Sequence, residues 1–99
     1  MRIISKAMLR AFWEMPDYSD AEQAIKAWYN EAKHAGWLTL QDIKNQFRSA
    51  SFVGNNRVVF NIHGNKYRLV VVINYSFSVC YVRFVGTHKQ YDKIDVATI

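Results

Sequence analysis

Five cations, Arg57, Lys66, Arg68, Arg83 and Lys89, fall between Gly54 and Tyr91 with two histidines, His63 and His88. The stretch contains no Asp or Glu. A guanidinium fork matches phosphate geometry and stays charged. An imidazole takes or gives a proton near neutral pH. His88 and Tyr91 are three residues apart, which puts them on one face of a helical turn. A histidine and a phenol so placed suit a proton-transfer pair. Clustered cations with no acid to neutralise them make a site for an anion, and the candidate anion is the RNA backbone. The plainer reading is an ordinary polar sheet face open to solvent.

Ninety-nine residues with 51% hydrophobic content are enough for one domain with a real core. We therefore expect a single domain over residues 1–99. The net charge of +5 is uneven: residues 1–49 carry +1 and residues 50–99 carry +4. A field of that sign favours nucleic acid, a membrane surface or an acidic protein. One cysteine, Cys80, excludes an internal disulfide and fits a reducing compartment. No apolar run approaches the roughly 20 residues of a membrane span, and the start lacks the pattern of a signal peptide. The expected place of work is the cytoplasm, away from membranes. His34, His63 and His88 lack the tight spacing of a metal site, and Cys80, among strand core positions, reads as inert.

Two periods must position these residues. Arg2-Ile3-Ile4 reads as a short strand, and Ser5 as the cap of a helix carrying Met8, Leu9, Phe12 and Trp13. Pro16 and Asp17 break that helix. Ser19-Asp20-Ala21-Glu22 has the pattern of a capping box. It precedes a helix with Ala21, Ala24, Ile25, Trp28, Ala32 and Ala35 on one face, ended by a left-handed Gly36. Thr39 caps a third, short helix with Leu40, Ile43 and Phe47 inward. The period then changes to 2. Strands are predicted over 57–62, 67–74 and 79–85, with turns at 54–56, 63–66 and around Ser76-Phe77, and a last helical turn after His88. The fold class is α+β: a short N-terminal strand, two to three helices, then a three-stranded antiparallel meander completing a sheet with helices on one face.

A four-residue turn from His63 to Lys66 pairs Ile62 with Tyr67, Phe60 with Leu69 and Val58 with Val71, all toward the helices. Asn61 then pairs with Arg68, and Arg57 lies near Val72. An even turn around Ser76-Phe77 pairs Val72 with Tyr81 and Val70 with Arg83, and turns Cys80, Val82 and Phe84 to the core. Arg57, Asn61, Lys66, Arg68, Tyr81 and Arg83 converge on the face away from the helices. A one-residue slip would bury Arg83 unpaired, at a cost of several kcal/mol.

Two blocks also resemble a family. Val59-Phe60-Asn61-Ile62-His63-Gly64-Asn65-Lys66-Tyr67-Arg68-Leu69-Val70, followed by Tyr81-Val82-Arg83-Phe84-Val85-Gly86-Thr87-His88-Lys89-Gln90-Tyr91-Asp92, is similar to the HigB toxins. These are the toxin half of bacterial type II toxin–antitoxin pairs in the RelE-like superfamily. The likeness includes Ile3-Ile4-Ser5, Ala27-Trp28-Tyr29 and Tyr91-Asp92-Lys93-Ile94-Asp95. His63 departs from the glycine expected at its turn. The resemblance implies an mRNA endoribonuclease that enters the ribosomal A site, beside ribosomal RNA, and cuts the bound message without a metal or organic cofactor. It also implies a cognate helix-turn-helix, HigA-like antitoxin whose complex binds operator DNA and represses its own operon.

Metal-free cleavage uses the neighbouring 2′-hydroxyl as nucleophile. In that chemistry Arg68 and Arg83 are assigned to the scissile phosphate, His88 to general acid or base, and Tyr91 to its partner. Arg57, Asn61, Lys66 and Lys89 would hold RNA. The rival readings are a non-catalytic RNA-binding module, with Tyr67 and Tyr81 stacking bases, and a module that only binds an antitoxin.

Overall fold

The computed structural model describes residues Met1–Ile99. Its elements follow in the order β1 (Arg2–Ile4), α1 (Lys6–Glu14), a 3₁₀ segment (Pro16–Ala21), α2 (Glu22–His34), α3 (Leu40–Gln46), β2 (Ser51–Val53), β3 (Arg57–Ile62), β4 (Tyr67–Asn74), β5 (Val79–Thr87) and α4 (His88–Tyr91). The five strands form one sheet in the order β1-β5-β4-β3-β2. β1 runs parallel to β5 and the other neighbours are antiparallel. The architecture is α+β, as expected. β2 is an addition: three residues just before the Gly54–Asn56 turn pair Ser51 with Val59 and Val53 with Arg57.

The helices cover one sheet face. Leu9 and Phe12 of α1, Ile25, Trp28 and Ala32 of α2, and Ile43 of α3 share a core with Val58, Phe60, Ile62, Tyr67, Leu69, Val71, Ile73, Cys80 and Val82. Phe60 is its aromatic centre, with ring centroids 5.3 Å from Trp28, 5.1 Å from Phe47 and 6.2 Å from Trp37. The indole N–H of Trp28 has no partner there.

Several helix ends differ from expectation. Ser5 takes a left-handed conformation (φ 76°) and gives α1 no side-chain cap; its carbonyl accepts from Met8 N–H instead. Met8, expected on the inward face, is exposed. No capping box forms at Ser19–Glu22, because Pro16–Ala21 is already wound and Ala21 enters α2 with helical dihedrals. α2 ends in an extended Ala35 (ψ 147°) and not in a left-handed Gly36. The amino group of Met1 donates to the carbonyls of Ala32, Lys33 and Ala35 at that end. Thr39 does cap α3, in a reciprocal box with Asp42. Ile43 is buried, but Leu40 in the first turn stays 53% exposed.

The β3–β4 register is as derived: Ile62 faces Tyr67, Asn61 faces Arg68 and Arg57 faces Val72. Between β4 and β5 the register shifts. Val72 faces Tyr81 and Val71 faces Val82, but Val70 faces Phe84. Arg83 is the extra residue of a bulge. Beyond it every side chain has changed face, so Val85 packs on the core while Phe84 lies outside near Tyr91. The expected pairing of Val70 with Arg83 and the inward Phe84 are therefore corrected. The bulge keeps the cation out of the core and still turns the apolar Val85 inward.

Candidate active site

β4 and β5 build the site at the end where α4 leaves the sheet. Arg68 lies opposite Gly86, and Tyr67 opposite Thr87. His88 follows immediately. Paired strands about 5 Å apart, with a rise of about 3.3 Å per residue, put the backbones of Arg68 and His88 within about 10 Å. The side chains of both are long enough to meet one phosphate group.

Arg68 is only 9% exposed. Its Nη1 donates to the carbonyls of Asn65 (2.9 Å) and Tyr67 (3.4 Å), inside its own hairpin. No carboxylate pairs with it, and its Nε–Nη2 edge has no protein partner and is not sealed from solvent. A nearly buried guanidinium with one edge anchored and the other open is preorganised for an oxyanion. Arg83 is different. Its guanidinium is exposed and stands 5.7 Å from the centroid of the Tyr81 ring. That places it on the outer face with Tyr81, three residues along β5 from the position opposite Arg68.

α4 is short but well fixed. Thr87 accepts from Gln90 N–H, and the Gln90 side chain accepts from Thr87 N–H at 2.9 Å. The other end of that amide donates to the Tyr18 hydroxyl at 3.2 Å. His88 is the first residue of this turn, and its Nδ1 lies 3.2 Å from Oδ2 of Asp92. Tyr91 packs 6.4 Å from the Phe84 ring. Sequence reasoning missed Asp92, although its signal was present, since four residues from His88 is as good a helical spacing as three.

The RNA-holding candidates divide. Lys66 reaches round the sheet end to the helical layer, where its ammonium binds Asp20 of the 3₁₀ segment. Tyr67 donates its hydroxyl to the other oxygen of that carboxylate. His63 Nε2 lies 3.8 Å from it. The Lys66 and Tyr67 hydrogen bonds hold the Asp20 carboxyl below the usual range. Asp20 in turn raises Lys66, and burial, then Asp20, raise Tyr67. Lys66 is thus paired with an acid on the helix side and does not converge with Arg68 on the outer face as expected, because Asp20 draws it round the sheet end, a contact with no sequence signal. Arg57 is engaged too. Its Nε and Nη2 donate to the main-chain oxygen of Ile99, and Asn55 donates to the carbonyl of Ala97. The closing segment lies along this face, and the outward pair Val59 and Val70 is buried. Asn61 is half-buried beside Arg68, and Lys89 is exposed on α4. Nowhere do three His, Cys, Asp or Glu side chains gather as around a metal ion, and no helix is long and apolar enough to cross a membrane.

The family model described as HigB toxin, RelE-like toxic component of a toxin–antitoxin system, matches residues 21–94. The chain belongs to the HigB toxin family. The match takes in every candidate from Arg57 to Asp92. It leaves out Asp20, which lies one residue before its start. Among curated HigB relatives, the mRNA interferase toxin HigB of Escherichia coli (strain K12) is 47% identical over 34 residues, covering 34% of this chain and 33% of the relative. The mRNA interferase HigB proteins of Escherichia coli O157:H7 and Shigella flexneri match to the same extent. The matched stretch thus spans about a third of the length of these relatives.

Proposed function

We propose that this chain is the toxin of a type II toxin–antitoxin pair and an endoribonuclease that cuts mRNA on the ribosome. The observation that carries the reading is Arg68: nearly buried, free of any carboxylate, anchored through one nitrogen, and set opposite Gly86, two residues before His88. The family and the names of the relatives support it.

In this reading the 2′-hydroxyl next to the scissile phosphate attacks phosphorus and the 5′-oxygen leaves. Arg68 stabilises charge on the non-bridging oxygens through its open edge, with Arg83 reaching the same phosphate from the bulge. His88 takes the proton of the 2′-hydroxyl or delivers one to the leaving 5′-oxygen, its partner Tyr91 or solvent water serves the other transfer, and no metal is required. Tyr91 orients His88 or acts as its partner, its ring packed near that of Phe84. Asn61, Arg57 and Lys89 hold the flanking RNA, Arg57 after exchanging its present partners for phosphate, while Lys66 stays with Asp20 and steadies the hairpin instead of holding RNA. The ribosome orients the codon, so so small a site suffices. The partners are the message and ribosomal RNA of the A site, a helix-turn-helix antitoxin, and operator DNA bound through the complex. The place of work is the cytoplasm. Tyr67 argues against a base-stacking module, because it is 1% exposed and its hydroxyl is held by Asp20.

The test is induced expression of wild type and His88→Ala in bacteria lacking the antitoxin, with message ends mapped by primer extension. Growth arrest with new in-frame cuts, lost in the variant, is expected. Arrest without cuts would sink the nuclease reading. Purified protein should also cut the message of a programmed ribosome far faster than naked RNA, and equal rates would remove the ribosome from the mechanism.

A further inference from the structure

We infer that Asp92 is the positioning residue of His88: it fixes which ring nitrogen carries the proton and so sets the imidazole ready to act as a base through Nε2. The inference rests on the RNA-cleavage reading for its consequence, but not for its geometry.

The pairing is built into the turn. Asp92 N–H donates to the His88 carbonyl at 3.0 Å, closing one helical turn between them. The Thr87–Gln90 box fixes the start of that turn, and the Gln90–Tyr18 hydrogen bond ties it to the helical layer. Within this frame Oδ2 of Asp92 lies 3.2 Å from Nδ1 of His88. A carboxylate only accepts hydrogen bonds, so the nitrogen facing it carries the hydrogen in neutral imidazole. The lone pair is then on Nε2, the ring nitrogen turned away from the Asp92 carboxylate. After Nε2 gains a proton, the same carboxylate faces the imidazolium. Asp92 touches His88 and acts through it.

Asparagine at position 92 reverses the instruction. Its amide can donate to Nδ1, which favours the tautomer with the hydrogen on Nε2 and no lone pair there. In a buried Ser-His-Asp triad the wrong tautomer costs about 10⁴ in rate. Here His88 and Asp92 side chains are 55% and 60% exposed, so water competes for Nδ1. The expected loss for Asp92→Asn is smaller, about 10–100-fold.

The experiment uses the full chain with ¹⁵N-labelled histidine. Imidazole ¹⁵N–¹H correlation spectra above the titration range report the His88 tautomer without any substrate. Single-turnover cleavage on programmed ribosomes is measured in parallel for wild type, Asp92→Asn, Asp92→Glu, His88→Ala and the double variant His88→Ala/Asp92→Asn. The expected result has four parts. Wild type shows hydrogen on Nδ1, Asp92→Asn shifts it toward Nε2 and slows cleavage, Asp92→Glu restores part of both, and Asp92→Asn costs nothing further once His88 is absent. An unchanged tautomer in Asp92→Asn overturns the inference. So does wild-type cleavage by that variant, or a further loss in the double variant. Thermal melts of each variant show that the fold is retained. If wild type itself cuts no RNA, the nuclease reading fails, and the spectra still decide whether Asp92 sets the tautomer.

Discussion

At the scale of single residues, the two arginines assigned to the phosphate differ in how they are held. One edge of Arg68 is spent on the carbonyls of its own hairpin and the other is open. Lysine has no second edge, so it can serve the hairpin or the phosphate but not both. Arg68→Lys should therefore lower the single-turnover rate on programmed ribosomes about 10²–10³-fold, the range for loss of a preorganised transition-state donor. Arg83 leans on Tyr81 in solvent, so Arg83→Lys should keep more activity than Arg68→Lys. Equal losses would mean that anchoring contributes nothing. Cys80 makes the opposite case. Burial pushes its thiol up to about 12, so the native protein should resist iodoacetamide at pH 8 and be labelled in urea, as followed by mass spectrometry. Thiolate is the nucleophile, and the folded state withholds it. Labelling at equal rates in both conditions would refute the sealed position.

At the scale of elements, the site depends on how β5 ends. Gly86 sits opposite Arg68, and a Cβ added there would stand 2.6 Å from both Gln90 Oε1 and the Phe84 ring. Neither can yield freely, since Gln90 caps α4 and Phe84 packs beside Tyr91. Gly86→Ala should cost about 1–3 kcal/mol in urea melts, the usual range for overpacking, and should loosen the turn that carries His88. A variant as stable and as active as wild type would show that the box is dispensable. The β3–β4 register could be read from the chain because Val58, Phe60 and Ile62 alternate with polar or outward residues, and a one-residue slip would bury Arg68 on the helix side. The bulge at Arg83 could not. Val82-Arg83-Phe84-Val85 offers an inward apolar residue in either phase, so only packing chooses Val85 over Phe84. β2 escaped because three residues are too few to show a period. Ser5, Ser19 and Gly36 have the residue types of helix ends, yet the backbone around them was set by tertiary contacts, a known override of local preference.

At the scale of the whole molecule, one carboxylate joins the helical layer to the β3–β4 hairpin that carries Arg68. Asp20 accepts from Lys66 and Tyr67 across 46 and 47 residues of chain. Nothing in local pattern could announce it, because the separation in sequence is half the protein. Lys66 and Tyr67 hold the Asp20 carboxyl below its ordinary 3.8, so the clamp's contribution is complete above about pH 4. It is lost as pH falls through the lowered folded value. Asp20 holds Lys66 above its ordinary 10.5. That contribution is complete below about pH 10 and is lost as pH rises through the raised value. The stability difference between wild type and Asp20→Asn, taken from urea melts, should therefore be level from pH 5 to 9 and shrink on either side. Arg68 follows Tyr67 directly, so releasing the hairpin should also slow cleavage at neutral pH, where the protein is folded. A difference that stays constant down to pH 2 would show that Asp20 bears no load. A stable Asp20→Asn protein that cuts at the wild-type rate would show that the hairpin holds Arg68 in place without help from the helices.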